Sequence, residues 1–203
     1  MTSLRPRDIV DITFEAPEGW HDVELLGEPG SEDWPERLAA ELGAPALVPQ
    51  LRALQQVLHG EDPSGATRAR VFVPVPSAGV LSAYQTYELL QLEPGDSPES
   101  YLAATDAAGG TREPGYEIIG YRSWRTAHAL GELVGFTHLT ALEDEAAGDA
   151  LLEQRVVFAI FPVGSAQAFH TIFRSGFIGG FDDMVADTQA IADSVRVTLG
   201  EAA

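Results

Sequence analysis

Alternating apolar and polar positions run through much of the chain and predict β-strands. At the N-terminus, Val10, Ile12 and Phe14 alternate with polar residues, which is the two-residue period of a half-buried strand. Similar stretches predict further strands at about residues 20–26, 71–75, 80–92, 116–125, 131–140, 152–163 and 167–175. Because most of these strands follow one another directly, we expect a largely antiparallel sheet.

Apolar residues at three- and four-residue spacing predict helices between and after the strands. A helical pair is predicted at about residues 32–59, and Leu47, Leu51, Leu54 and Leu58 lie on one face of its second member. Ser97-Pro98 has the composition of a helix start and predicts a short third helix. Helices that cover an antiparallel sheet predict a single α+β domain over residues 1–203.

The last helix, predicted at about residues 182–195, should be part of the folded core. Since neighbours in sequence tend to be adjacent in space, it should cover the two strands that precede it. We expect it to face Val156, Phe158 and Ile160, the alternating set that contains no charge. The apolar stripe of this helix comprises Met184, Val185, Thr188, Ile191, Ala192 and Val195.

The residue types that are missing exclude several kinds of chemistry. The 203 residues include no cysteine, and all 12 basic residues are arginines. Without cysteine there is no disulfide, thiol nucleophile or thiolate metal site. Without lysine there is no Schiff-base chemistry and no Walker-loop lysine. These absences remove many enzyme classes from consideration.

The net charge of −19, from 31 acidic residues against 12 arginines, argues against nucleic acid and anionic membranes as partners. A nucleic-acid binder needs a basic face, and anionic membrane surfaces are disfavoured for the same reason. The longest apolar run, Val156–Phe161, is far shorter than the roughly 20 residues of a membrane span. The N-terminal residues lead into no apolar segment typical of a secretory signal. We therefore expect an acidic, cytoplasmic protein that binds neither nucleic acid nor membrane.

Two stretches at opposite ends of the chain resemble one known family. The first runs from Ile12 to Trp20 and joins a strand to a Pro-x-Gly-Trp turn, from which Trp20 should enter the core. The second comprises Arg155–Ile160, Ala168–Phe173 and the helix end Ile191–Val195. They are similar to the opening strand, closing hairpin and terminal helix of the PsbP-like family. That family includes photosystem extrinsic subunits, a Ran-binding nuclear import factor and actinobacterial lipoproteins of the LpqN type.

The resemblance implies an α/β/α sandwich around an antiparallel sheet. It implies no catalytic residues, because the family shares none, and its members mostly bind other macromolecules. The chain departs from the lipoprotein members in lacking both a signal peptide and a lipidated cysteine. The helical pair at about residues 32–59 has no counterpart in the family pattern.

Motifs for metal, nucleotide or nucleophilic chemistry are incomplete. The five histidines include no His-Glu-x-x-His pattern, and no Gly-x-Ser-x-Gly elbow occurs. The acidic stretch Glu143–Asp149 lacks the alternating carboxylates of a calcium loop. The turn of Gly176, Gly179 and Gly180 is followed by two aspartates that would repel a phosphate. We therefore predict no metal and no cofactor, and assign no catalytic residue.

Four residues are the candidates for binding. Tyr121 and Trp124 belong to an aromatic set with Tyr116, and His170 and Arg174 lie four apart on one strand face. Glu153 and Arg155, on the neighbouring strand, would extend that polar patch. The alternatives are a sheet surface or core for the aromatic residues, and a solvated face or cross-strand ion pair for the charged ones.

The predicted function is that of a non-catalytic binding or adaptor domain. Whether the protein is an enzyme is uncertain, and the sequence favours the answer that it is not. The alternative is a hydrolase whose serine, histidine and acid are brought together from scattered positions. A third hypothesis is a scaffolding subunit of a homo-oligomer. A protein partner is consistent with the first and the third hypotheses.

Overall fold

A computed structural model describes residues 6–23, 32–61, 67–109, 112–113, 116–144, 149–177 and 179–201. Its α-helices are α1 (Trp34–Glu41), α2 (Val48–Glu61), α3 (Pro98–Ala108) and α4 (Met184–Asp193). Its strands are β1 (Ile9–Thr13), β2 (Trp20–Val23), β3 (Arg68–Phe72), β4 (Ala83–Gln91), β5 (Arg112–Glu113), β6 (Tyr116–His128), β7 (Gly131–Asp144), β8 (Asp149–Pro162), β9 (Gln167–Ser175) and β10 (Arg196–Leu199). The chain divides into two compact units, one of residues 17–88 and one of residues 1–16 with 89–203.

The unit of residues 17–88 packs two helices on antiparallel strands. β3 pairs with β2 and with β4, and α1 and α2 supply the leucine face that the sequence predicts. Trp20 is only half-buried and stacks on Phe72, with 5.0 Å between the ring centroids. The prediction of a core position for Trp20 is therefore wrong, because the turn delivers the ring onto a neighbouring strand. The core residues of this unit include Trp34, Leu38, Leu47, Leu51, Leu54, Leu58, Ala69, Val71 and Val73.

The other unit is built on an antiparallel sheet in the order β9-β8-β7-β6-β5. Its register assigns each side chain to a face, because residues paired across neighbouring strands point the same way. Trp124 of β6 pairs with Gly135, which pairs with Phe158, and these three lie on one face. Arg125 and Val134, one position along each strand, lie on the opposite face. Residues Val156 to Pro162 of β8 are buried throughout, as expected for a strand covered on both sides.

Helix α4 covers the first of these faces, here called the α4 face. The Trp124 indole N–H donates to Oε1 of Gln189 at 3.3 Å, and a ring nitrogen of His128 lies 3.2 Å from the carbonyl of Ala192. Asp183 caps the helix by accepting from the backbone N–H of Ala186. Because Phe158 shares this face with Trp124, α4 lies on the side of β8 that the sequence predicts.

Helix α3 covers the opposite face, here called the α3 face. The ring of Tyr101 packs edge-on against Phe161 and His170, with centroid distances of 5.8 and 6.2 Å. The helix begins where predicted, since the Ser97 hydroxyl accepts from the backbone N–H of Ser100 at 3.1 Å. An antiparallel sheet between α3 and α4 is an α/β/α sandwich. The predicted α+β class is confirmed, while the single domain over residues 1–203 stays a prediction.

Some elements differ from the sequence prediction. β10 pairs with β1 in a separate antiparallel ribbon that no pattern indicated. β7 extends through Asp144 and β8 begins at Asp149, so the predicted acidic loop is shorter, and its residues 145–148 lie outside the described residues. Each helix in the described part of the chain is too short or too polar to span a membrane.

Candidate functional site

Trp124, one of the four predicted binding residues, lies on the α4 face. Its ring packs edge-on against Phe158 with a centroid distance of 6.0 Å, while its indole N–H is bound to Gln189. Arg122 lies over the same ring, with its guanidinium carbon 5.5 Å from the centroid. Trp124 is therefore half-buried between the sheet and α4, and much of its surface is used within the fold.

Tyr121, His170 and Arg174 lie on the α3 face instead. The Tyr121 hydroxyl donates to Asp106 of α3 at 3.1 Å, and burial raises the pKa of that hydroxyl. His170 contacts Tyr101, and Arg174 is only 8% exposed. The structure does not bring the four predicted residues to one surface, because Trp124 is separated from the other three by the thickness of the sheet.

A row of polar residues crosses the α3 face in register. His138 pairs with Arg155, and Arg155 pairs with Arg174. Arg155 is bound to Glu153 of its own strand, with 2.5 Å between Nε and Oε1, so the predicted patch contains an ion pair within β8. Two arginines that face each other across strands repel, which makes the carboxylate of Glu153 important for the local charge balance.

His138 is the most perturbed group of this row. It is 7% exposed, and neither of its ring nitrogens has a hydrogen-bond partner among the described residues. Its ring stacks on Phe136, with 6.0 Å between centroids and 6° between planes. Burial, and to a smaller extent the positive charge of Arg155, lower the pKa of His138 to about 4. The imidazole is therefore neutral at pH 7 and behaves as part of an aromatic stack.

The sheet has an open groove at the N-terminal end of α4, with a volume of about 390 Å³. A β-bulge between Ile119 and Arg122 shapes it, because the extra residue lets Gly120 turn with a φ of +66°. No motif in the sequence indicates this groove. The groove is lined by Ile119, Gly120, Arg122, Thr137, His138, Leu139, Gln154 and Val185.

The groove combines apolar walls with one cation. Ile119 is 41% exposed, and so is Leu152 one row further along the strands. Arg122 is exposed and makes no ion pair with the described residues, and its guanidinium lies over the ring of Trp124. Arg125, on the other face, is by contrast bound to both Glu99 and Glu132. An apolar cleft with a charged group at its edge is a common form of binding site.

Two of the histidines, His128 and His138, have no acid or hydroxyl partner among the described residues. The described residues contain no cluster of three histidine, aspartate or glutamate side chains that could hold a metal ion. His128 interacts with the backbone of Leu130 and Ala192, and His138 has no hydrogen-bond partner within the described part of the chain. Neither histidine therefore forms the histidine–acid–serine arrangement that a hydrolase would need.

Comparisons with known proteins give structural likeness only. No family model matches the chain, and no curated protein matches it. The crystal structure of the Saccharomyces cerevisiae Ran-binding protein Mog1p is similar over 92% of this chain and 89% of that one, with 12% identity and a TM-score of 0.44. LpqN, described as involved in cell envelope biogenesis of Mycobacterium tuberculosis, is similar over 93% and 83%, with 11% identity and a TM-score of 0.39. No residue and no function is carried over from either.

Proposed function

We propose that the chain is a non-catalytic binding or adaptor domain of the PsbP-like fold, and that the groove beside α4 is its partner surface. The observation that carries the proposal is the groove itself, which Ile119, Leu139 and Val185 line together with Arg122, a cation with no ion-pair partner among the described residues. The assignment to the PsbP-like fold rests on the motif that ends at Trp20 and on the α/β/α sandwich. The cytoplasmic location expected from the sequence belongs to the same proposal.

Apolar surface is the main source of protein–protein affinity. In the groove, apolar side chains remain accessible at a place where the sheet extends beyond the start of α4. Burying a side chain such as Ile119 in an interface contributes on the order of 1 kcal/mol or more. Arg122 adds geometric specificity to binding, because a guanidinium fixes the position of a partner's carboxylate. No observation gives the hydrolase alternative comparable support.

The test is affinity capture from the native cell, followed by mass spectrometry, with three forms of the full chain. The wild type is compared with Ile119→Asp and with Val10→Asp, a matched control in β1 whose valine is also exposed. We expect the wild type and Val10→Asp to capture the same partners, and Ile119→Asp to lose them. Thermal denaturation confirms that both variants are folded. An unchanged set of partners for folded Ile119→Asp would refute the groove as the partner surface.

A further inference from the structure

Strand β6 has an open edge along most of its length. β5 pairs only with Tyr116 and Glu117, and β6 is otherwise paired with β7 on its inner side. Within the described ranges, residues 118–128 have no strand on their outer side. An open edge presents a row of backbone N–H and C=O groups that a further strand can pair with.

This edge is continuous with the groove. Ile119, Gly120 and Arg122 belong both to the edge strand and to the lining of the groove. Bulges and charged residues are also the devices by which proteins guard an open edge, so the bulge alone does not distinguish protection from recognition. The groove favours recognition, because it gives an apolar side chain of an added strand a place to be buried beside the edge.

Building on the proposed function, we propose that the partner is an extended segment of another protein that adds to β6 as a strand. In this arrangement its backbone pairs with residues 118–128, an apolar side chain enters the groove, and a carboxylate binds Arg122. Backbone pairing supplies affinity, and the alternate side chains supply specificity, as in other cases of strand addition. Arg122 selects an acidic residue because its guanidinium is permanently charged and matches a carboxylate with two parallel hydrogen bonds.

Charge decides between another protein and a second copy of this chain. Two copies paired through β6 would bring their arginines to the same edge, and residues 118–128 contain no carboxylate that could bind Arg122, so self-association through this edge is opposed. The overall negative charge does not prevent one local contact with a carboxylate. At physiological ionic strength it is screened beyond about 8 Å, and the nearest cation then dominates at the groove.

The test selects binders from a library of random short peptides displayed on phage. The bait is the full-length chain as wild type, Arg122→Glu or Arg7→Glu, the last a control with the same charge change at the residue that bridges to Ser165. We expect wild-type selections that alternate apolar and polar residues, avoid proline and fix one aspartate or glutamate. A synthetic peptide of that consensus should bind Arg122→Glu at least about tenfold more weakly, and Arg7→Glu as the wild type does.

Hydrogen exchange locates the bound peptide. We expect the selected peptide to protect amides within residues 118–128 and to leave the sedimentation of the chain that of a monomer. Selections without a preferred acid, absence of any selected peptide, or protection elsewhere would overturn the inference. A concentration-dependent dimer that protects the same amides would also overturn the inference, because the strand that adds to β6 would then come from a second copy of this chain. If native partners still depend on Ile119 in the capture experiment, the proposed function survives any of these failures.

Discussion

Gly135 is placed where a side chain would collide with Trp124. A Cβ built on Gly135 would lie 2.4 Å from Cε2 of the indole ring, well inside van der Waals contact. The ring cannot yield easily, because it packs on Phe158 and its N–H is bound to Gln189 of α4. The close approach of Trp124 to the sheet therefore depends on glycine at this position.

We expect Gly135→Ala to destabilise the protein by about 1–3 kcal/mol, since it overpacks a position against a constrained ring. Urea denaturation measures the loss, and tryptophan fluorescence reports the displaced indole. Gly60→Ala is the matched control, because a Cβ at Gly60 meets nothing within 4 Å and alanine is the better helix former. Equal stability of Gly135→Ala and the wild type would show that the ring moves freely.

His138 should make the stability of the protein depend on pH. Burial and the charge of Arg155 lower its pKa to about 4 in the folded chain, against about 6.5 in the unfolded chain. Between these values the unfolded chain binds a proton that the native chain does not. The free energy of unfolding therefore falls as the pH falls from about 6.5 to about 4, by up to on the order of 3 kcal/mol.

The variant His138→Phe removes this titration while keeping an aromatic ring beside Phe136. Urea denaturation of both proteins between pH 7 and pH 4 should show that the wild type loses more stability than the variant over that interval. The difference between the two proteins excludes the contribution of the carboxylates to the pH dependence, because the carboxylates titrate in both proteins. Parallel stability curves would contradict the prediction and would mean that the imidazole is hydrated in the native state.

At the scale of elements, α4 and β10 act together at the C-terminus. Met184, Thr188 and Ile191 of α4 are buried, and β10 supplies the pairing strand for β1. The pattern of the sequence predicted the helix and its stripe, but only the register of β1 with β10 shows that this segment also holds the N-terminus. Its removal therefore affects two elements at once.

We expect deletion of residues 181–203 to leave a molten or aggregating chain. The loss of α4 exposes the apolar face around Phe158 and Phe173, and the loss of β10 leaves β1 without its pairing strand. Near-ultraviolet circular dichroism and dye binding measure the effect. A shorter deletion of residues 201–203, which keeps both elements, is the control. A monomer with a sharp thermal transition would contradict the prediction and would make α4 a detachable element.

At the scale of the whole molecule, charge separates the classes of partner. The net charge of −19 disfavours binding of a phosphate backbone unless a cation faces it directly. Several cations are not free to do so, because a carboxylate binds each of Arg52, Arg70, Arg125 and Arg155. The exclusion of nucleic acid from the partners stays a prediction. Arg122 is different because it forms no ion pair with the described residues, and its guanidinium lies over the ring of Trp124.

The sequence by itself determined the elements and the class of the fold. Two-residue alternation and helical periodicity are local properties, so β6 to β9, α3 and the stripe of α4 could be predicted closely. The absence of cysteine and lysine likewise fixed what chemistry is excluded, since no arrangement in space can supply a missing functional group. The preference for Val156, Phe158 and Ile160 as the α4 face needed only the rule that charges avoid a buried face.

Only the tertiary structure decided which side chains meet. Ile119 and Arg122 are three apart in sequence and would lie on opposite faces of a regular strand, yet the bulge between them puts both on the same face of the sheet. The groove has no sequence signature, because it arises where the strands continue past the first turn of α4. The open edge of β6 likewise depends on which strands are its neighbours. Partners across a sheet are fixed by long-range pairing, and a single sequence does not encode that pairing in any local pattern.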